Sequence, residues 1–226
     1  EQNIQKRRRK ILETARLIVE EQGPEAVKMR DLAERAGFSV TTLYNLFDNK
    51  DDLLVALLED ALVSVTPLLE AQKQSDPFAA IQEIMAGPVQ YLVDHSRILR
   101  PILAVLYYKA ERRAAPYAIE IFTGIIAALA RMVEAAQKEG FLLPTPPPRL
   151  LAAEIFYSYR MALEDWGCRE IDDGQLASRV QTGVLLLLLS VATDKSRAHL
   201  QGRLESVQAR ALDYLVRRFP GLELLP

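Results

Sequence analysis

The sequence predicts an all-α fold, in which a small N-terminal domain of three helices precedes a larger helical domain. Half of the 226 residues are apolar, and the good helix formers Leu, Ala, Glu and Arg dominate. Apolar residues recur at helical spacing in successive segments, and long runs of alternating β-branched residues are absent. Glycine and proline separate these segments. We place the boundary after residue 50, which gives domains of residues 1–50 and 51–226.

The N-terminal domain is expected to begin with a long helix and to continue with a shorter one. The long helix runs from about Ile4 to Gln22, and Gly23 and Pro24 end it. The first short helix is predicted over Met29–Ala36, where apolar residues at i, i+3, i+4 and i+7 form one face. Gly37 ends this helix, because a residue just past a helix end often adopts the left-handed conformation that glycine tolerates.

A second short helix follows, and the pair has the spacing of a helix-turn-helix. Ser39 suits the N-cap of this helix, which we predict over Val40–Phe47. Leu43 and Phe47 lie four residues apart on its inner face and would anchor it in the core. A helix-turn-helix places its second helix in the major groove of DNA, so DNA is the first partner to consider. The alternative is an ordinary helical hairpin inside an all-α protein.

The outer face of the second short helix supplies the candidates for contacts with base edges. These are Val40, Thr41 and Asn45. Asn45 could pair bidentately with adenine, and Val40 or the Thr41 methyl group could contact a thymine methyl group. Alternatively, Asn45 is a solvated surface amide.

With its flanks, this region resembles the TetR family of one-component transcriptional regulators. The segment LYNLFDNKDDL resembles the family signature Leu-Tyr-x-x-Phe-x-x-Lys-x-x-Leu, and the matching residues extend from Arg8 to about Leu54. Three positions depart from the family pattern. Lys28 stands where the family usually has a capping Ser or Thr, Thr41 stands where small residues are common, and Leu46 stands where a polar ring is usual. The operator of a relative therefore cannot be transferred to this chain.

The resemblance also implies which residues contact the DNA backbone. Thr42, Tyr44 and Lys50 match positions that bind phosphate in the family, and Lys28 or Arg30 would join them at the start of the first short helix. Such contacts set the register on the duplex but carry no sequence information directly.

The charge pattern is compatible with a local DNA-binding surface. The run from Lys6 to Lys10 is five consecutive positive charges, which would lie near phosphate or the minor groove as a flexible arm or a first helical turn. A basic run is otherwise often a solvated end. Residues 1–50 contain ten basic and eight acidic residues, a net charge of +2, whereas the rest of the chain carries −4. Only a local surface could therefore be positive, and a general polyanion binder is excluded.

The second domain is predicted to consist of seven helices separated by proline, glycine and polar residues. A proline-rich segment at Pro144–Pro148 is the clearest break, and Pro88 could kink the second of these helices. The expected ranges are 51–69, 77–95, 97–113, 116–140, 149–166, 174–193 and 196–219.

The helix at 174–193 suggests dimerisation, because the run from Val184 to Leu189 is apolar around the whole helix and both of its sides must be covered. A partner subunit could cover one side, with helices 149–166 and 174–193 of each chain forming a four-helix bundle. The candidate contacts are Val184, Leu185 and Leu188. Alternatively, helix 196–219 of the same chain covers them. A two-fold dimer would place two recognition helices one DNA turn apart, about 34–36 Å.

Aromatic residues between 78 and 166 suggest a site for a small effector. Apolar walls with a few phenols and a guanidinium would suit a largely apolar small molecule. Such a stripe at helical spacing is, however, more often plain core. The candidate effector-binding residues are Tyr91, Tyr107, Phe122, Phe156, Arg160 and Trp166.

These observations favour a ligand-responsive, homodimeric transcriptional regulator, most simply a repressor of a palindromic operator. An enzyme is disfavoured, because His95 and His199 lie in separate predicted helices and no catalytic, nucleotide-binding or zinc motif is present. A helical scaffold or adaptor is the remaining alternative. No cofactor or metal is implied. The lone Cys168 suits a reducing cytoplasm, and the most apolar stretch, the nine residues from Val184 to Ala192, is too short to span a bilayer. We therefore expect a cytoplasmic location and no membrane partner.

Overall fold

The computed structural model describes residues 2–63, 77–108, 116–219 and 221, and this part of the chain is helical, as predicted. A short 3-10 helix, Pro24–Ala26, lies between the first two α-helices. The α-helices are α1 (Gln2–Gln22), α2 (Met29–Ala36), α3 (Val40–Tyr44), α4 (Lys50–Val63), α5 (Pro77–Asp94), α6 (Ser96–Tyr108), α7 (Pro116–Lys138), α8 (Pro148–Gly167), α9 (Asp173–Ser190) and α10 (Asp194–Arg218). The predicted ends at residues 69 and 113 lie outside the described residues.

The first compact unit contains α1 to α4 and α6, with described residues 2–63 and 95–108. The apolar faces of α1 and α2 meet the inner residue of α3, so that Ile11, Leu32 and Leu43 are fully buried. Leu53 and Leu54 bring α4 into the same core. Helix α4, which the sequence analysis assigned to the second domain, therefore lies in the first unit by its contacts.

The second compact unit contains α5 and α7 to α10, with described residues 77–94 and 116–219. Helix α9 packs against α8 on one side and α10 on another. A Cβ atom built on Gly183 of α9 would overlap the Ser158 hydroxyl of α8, so the glycine permits a close crossing of these helices. The Trp166 indole, fully buried at the end of α8, donates a hydrogen bond of 2.8 Å to the Asp173 carboxylate at the start of α9.

Helix α9 ends three residues earlier than the sequence predicts, because the backbone of the turn that follows it bonds to another turn. The Leu143 N–H donates to the Val191 carbonyl at 2.8 Å, and Leu142 and Ala192 form an isolated antiparallel bridge. The Thr193 hydroxyl then donates to the carbonyl of Gly140 at 2.8 Å. These non-helical bonds end α9 at Ser190 instead of Thr193.

Part of the apolar run of α9 is covered by its own chain. Val184 and Leu185 are 2% exposed and Leu188 is fully buried, with α10 packed along α9. Leu186 of the same run is 52% exposed. The burial of the first three side chains favours the alternative in which the same chain covers them, and their assignment to a dimer interface stays a prediction. Among the described residues, no helix is both long and apolar enough to cross a membrane.

Candidate DNA interface

The turn between α2 and α3 has the geometry that its sequence predicts. Gly37 adopts a left-handed conformation with φ 76° and ψ 33°, and the next N–H, that of Phe38, donates to the Ala33 carbonyl at 2.9 Å. Ser39 caps α3, because its hydroxyl oxygen accepts the Thr42 N–H at 3.1 Å. The Ser39 and Thr42 hydroxyl groups are also 2.8 Å apart, within hydrogen-bonding distance. Both the turn glycine and the capping serine are therefore confirmed.

Helix α3 is shorter than predicted, since it ends at Tyr44 and not at Phe47. The Leu43 carbonyl accepts two N–H groups, from Leu46 at 3.0 Å and from Phe47 at 2.8 Å. This double acceptance tightens the last turn and redirects the chain toward α4. The two predicted anchors keep their role, because Leu43 is fully buried and Phe47 is 4% exposed.

The outer face of α3 presents the residues that were assigned to base edges. Thr41 and Asn45 are exposed and Val40 is half-buried. Tyr44, assigned to phosphate, is 50% exposed, which is unusual for an aromatic ring in a folded domain. The sequence thus predicted the exposed face of α3 correctly, and the assignment of these side chains to DNA stays a prediction.

The predicted phosphate-binding residues lie around this face in different environments. Lys28 and Arg30 are exposed at the start of α2, and the Lys28 side chain makes no capping hydrogen bond, as expected. Thr42 is half-buried, and its hydroxyl group is hydrogen-bonded to that of Ser39. The Lys50 ammonium group donates to the Glu25 carbonyl at 3.1 Å and lies 3.6 Å from the Glu25 carboxylate. Lys50 therefore ties the 3-10 helix to the start of α4, a contact that the sequence did not suggest.

The basic run forms part of a helix, and not a flexible arm, because α1 begins at Gln2. Lys6, Arg7, Arg9 and Lys10 are exposed, whereas Arg8 is half-buried. The Arg9 guanidinium pairs with Glu13 at 3.0 Å, and the Lys10 ammonium group lies 5.5 Å from the centre of the Phe38 ring. The positive charge of α1 is thereby brought beside the turn of the helix-turn-helix.

Acidic residues follow the recognition helix and begin α4. The Asn49 amide donates to the Asp52 carboxylate at 2.8 Å, and the Asp52 N–H donates back to the Asn49 side-chain oxygen at 2.9 Å. The Asn49 side chain thereby caps α4 by accepting one backbone N–H at the helix start. Burial raises the pKa of Asp52 above its ordinary value, and the neighbouring charges of Asp48 and Asp51 raise this pKa further.

The candidate effector residues are divided between the two units. In the second unit, the Phe122 and Phe156 rings are 5.1 Å apart, and the Arg160 guanidinium lies 6.0 Å from the centre of the Tyr157 ring. Tyr91 is half-buried in the same unit, and Trp166 is bonded to Asp173 as described above. Tyr107 belongs to α6 in the first unit, and its side chain lies outside the described residues. Within the described part of the chain, no group of acidic, His or Cys side chains could hold a metal ion.

A helix-turn-helix with an exposed second helix, built into a three-helix core, is the arrangement that DNA-binding proteins of this kind use. Comparison with known proteins agrees. Residues 11–57 match the family described as bacterial regulatory proteins, tetR family. This segment therefore carries the N-terminal domain of the tetR family, whose members are DNA-binding transcription factors.

Individual relatives agree with this family. The transcriptional repressor KstR of Mycobacterium tuberculosis is 27% identical over 184 residues, which cover 80% of each chain. KstR of Rhodococcus jostii is 49% identical over 57 residues, 25% of this chain and 27% of the relative. Among solved structures, RolR in complex with resorcinol superposes with a TM-score of 0.62 at 21% identity, over 90% of this chain and 95% of that one. The protein is thus a DNA-binding regulator of transcription.

Proposed function

We propose that the protein is a homodimeric repressor that binds a palindromic operator and is released by a small, largely apolar effector. The observation that carries this proposal is the exposed face of α3 on a buried anchor. Thr41, Tyr44 and Asn45 are exposed on this face, whereas Leu43 and Phe47 are buried beneath it. A rigid helix presented in this way can enter a major groove without rearrangement.

In this proposal, one set of side chains binds the DNA backbone and another contacts the bases. Thr42, Tyr44 and Lys50, with Lys28 or Arg30, bind phosphates and set the register of α3 along the groove. Val40, Thr41 and Asn45 then contact base edges, with Asn45 as the main source of hydrogen-bonded discrimination.

The dimer is supported by an exposed apolar surface on α8 and α9. Leu150, Tyr157 and Met161 of α8 are 53%, 53% and 50% exposed, and Leu186 of α9 is 52% exposed. The inner side of α9 is already covered by α10, so a partner would have to pack on this outer face. Four such helices, two from each chain, would form the bundle. The dimer is needed because a single small module buries too little DNA surface for high specificity.

The effector is proposed to bind in the second unit. The supporting observation is the contact between the Phe122 and Phe156 rings, with the Arg160 guanidinium on the same helix as Phe156. RolR, which shares the fold, is described in complex with the aromatic ligand resorcinol. An effector acts by preferring one conformation of the dimer, and it can shift the equilibrium no further than its difference in affinity between the two states.

Selection of bound fragments from the source genome tests the regulator itself. We expect sequence-selective binding that weakens steeply with salt, and recovered sites with two-fold symmetry and half-sites about one helical turn apart. Repeating the selection with candidate aromatic or aliphatic effectors tests release. A scaffold or adaptor would recover no common sequence, and asymmetric sites would contradict the homodimer.

Two matched substitutions test the dimer interface. Leu186→Glu places a charge on the outer face of α9, and Leu212→Glu places the same charge on α10, where the leucine is 57% exposed. We expect Leu186→Glu to produce monomers in sedimentation equilibrium and Leu212→Glu to leave dimers. Dissociation by Leu212→Glu alone would assign the interface to α10 instead.

A further inference from the structure

Arg8 of α1 touches two different parts of the first unit at once. Its guanidinium nitrogen lies 3.6 Å from the Glu59 carboxylate of α4. The guanidinium carbon lies 5.6 Å from the centre of the Phe47 ring, within the range of a cation–π contact. Arg8 is also the only member of the basic run that is half-buried, since the four neighbouring charges are exposed. One side chain therefore links α1, α4 and the segment that follows the recognition helix.

Phe47 connects this cluster to the recognition helix. Its N–H donates to the Leu43 carbonyl at 2.8 Å, and Leu43 is the buried anchor of α3. A displacement of the Phe47 ring would therefore move the last turn of α3. Asn45, the main candidate for base recognition, lies within that turn and is bonded to the Thr41 carbonyl at 3.0 Å.

The Glu59 carboxylate holds the guanidinium in place. Its side chain is 11% exposed, against 35% for Arg8, so water competes weakly for the carboxylate side of the pair. Ion pairs at exposed positions contribute little, but a carboxylate in a partly buried site can orient a planar guanidinium. One face of the Arg8 guanidinium is then available for the Phe47 ring.

We propose that Arg8 is a positioning residue, which with Glu59 holds Phe47 and thereby sets the angle at which α3 presents its reading face. The effect of Arg8 on operator selectivity rests on the proposed function, whereas the coupling between Arg8 and Phe47 is independent of that function. Exposed Lys6, Arg7, Arg9 and Lys10 remain available for phosphate contacts, so Arg8 is not needed as one.

Two other roles for Arg8 make different predictions. A direct phosphate contact would be strengthened, or left unchanged, by removal of the opposing Glu59 charge. A simple brace between α1 and α4 would be equivalent to the neighbouring pair of Arg16 and Asp60, which joins the same two helices at 2.8 Å. Asp60→Asn is therefore the matched control for Glu59→Gln.

The experiment compares Arg8→Gln, Glu59→Gln, their double variant and Asp60→Asn in the full chain. Affinities are measured for a selected operator and for DNA of random sequence, at several salt concentrations. We expect Arg8→Gln and Glu59→Gln each to reduce the ratio of operator to random-DNA affinity by about three- to tenfold, the range for one ion pair plus one cation–π contact. The double variant should be no worse than either single one, because both disrupt the same cluster. Asp60→Asn should retain the wild-type ratio.

The salt dependence separates positioning from phosphate binding. Loss of a phosphate contact lowers the slope of log affinity against log salt by about 1, whereas loss of positioning leaves it unchanged. The proposal is overturned if Arg8→Gln lowers that slope and weakens both DNAs equally, or if Glu59→Gln tightens operator binding. It is also overturned if Asp60→Asn reduces selectivity as much as Glu59→Gln does.

An amide NMR spectrum without DNA provides a readout that does not depend on the regulator function. Glu59→Gln and Arg8→Gln should each shift the amide signals of Phe47 and Asn45, whereas Arg8→Lys should shift them less, because a positive charge still faces Glu59. Asp60→Asn should leave both signals in place. Unchanged amide signals in Glu59→Gln refute the positioning role, even if the wild-type chain selects no operator. Shifted signals in a protein that shows no selective binding would contradict the proposed function but not the positioning role.

Discussion

The left-handed turn at Gly37 allows a quantitative prediction for Gly37→Ala. A residue with a Cβ atom loses about 1–2 kcal/mol in the left-handed region. Replacing glycine also restricts the unfolded chain, which returns about 0.4–1 kcal/mol. Space is not a factor, because the nearest heavy atom to a Cβ built on Gly37 is the Lys10 ammonium nitrogen at 3.8 Å. The central values of these two ranges leave a net loss of about 0.8 kcal/mol in the local stability of the helix-turn-helix.

Native-state hydrogen exchange is the suitable assay, because it reports the opening free energy of individual amides. A global melt would combine two compact units, and the single tryptophan, Trp166, lies in the second one. The Phe38 amide is the best probe, since its hydrogen bond closes the turn at 2.9 Å to the Ala33 carbonyl.

Two further variants test the reasoning behind this magnitude. Gly37→Asn should lose less than Gly37→Ala, because asparagine tolerates the left-handed conformation better. Gly202→Ala should stabilise α10 by about 0.5–1 kcal/mol, because this glycine is in a helix and nothing lies within 4 Å of its built Cβ. Equal losses for Ala and Asn, or no loss for Ala, would refute a left-handed Gly37 as the source of the cost.

Three other predictions concern DNA binding and pH. Tyr44→Ala combined with Lys50→Ala should weaken operator and random DNA by similar factors in a titration, and a loss confined to the operator would contradict their assignment to phosphate. Asn45→Ala should relax base preference at one operator position by about 1–3 kcal/mol in a competition with single-base variants, and unchanged preference there would exclude its role. Burial raises the pKa of Glu59 although the Arg8 charge lowers it. The folded state therefore favours the protonated form of Glu59. Its contribution to stability is fully present below the ordinary pKa of a glutamate and is lost as the pH rises through the raised pKa of Glu59. Glu59→Gln should consequently be at least as stable as wild type at pH 7, with the difference disappearing toward about pH 4 in denaturant titrations; a less stable variant at pH 7 would contradict the sign.

Much of the helix-turn-helix was predictable because its determinants are close together in the chain. The apolar spacing of Met29–Ala36 gives the observed bounds of α2, and Gly37 and Ser39 act on backbone groups a few residues away. The end of α3 was less predictable. Its apolar pattern continues to Phe47, but the Leu43 carbonyl accepts two N–H groups and closes the helix earlier.

The candidate sites show the same contrast between local determinants, which the sequence reveals, and long-range packing, which it does not. Outward-facing Thr41, Tyr44 and Asn45 follow from helical periodicity once Leu43 is buried. The three dimer candidates are buried within their own chain. A helix that is apolar all round must be covered, but its sequence does not say by which neighbour. Leu186 could not be separated from Leu185 or Leu188 until α10 was seen to cover the other side.

Short-range chemistry was therefore enough to establish an all-α chain, the position of the turn and the exposed face of α3, since apolar period, glycine conformation and helix capping act within about one or two turns. Long-range packing determined which surfaces remain open and which charges meet. Arg8, Glu59 and Phe47 are far apart in sequence, and nothing in their spacing predicts their contact. Only the folding of α1 and α4 around the recognition helix brings the three together, because a partner across a helix interface depends on the crossing of helices and not on the local pattern.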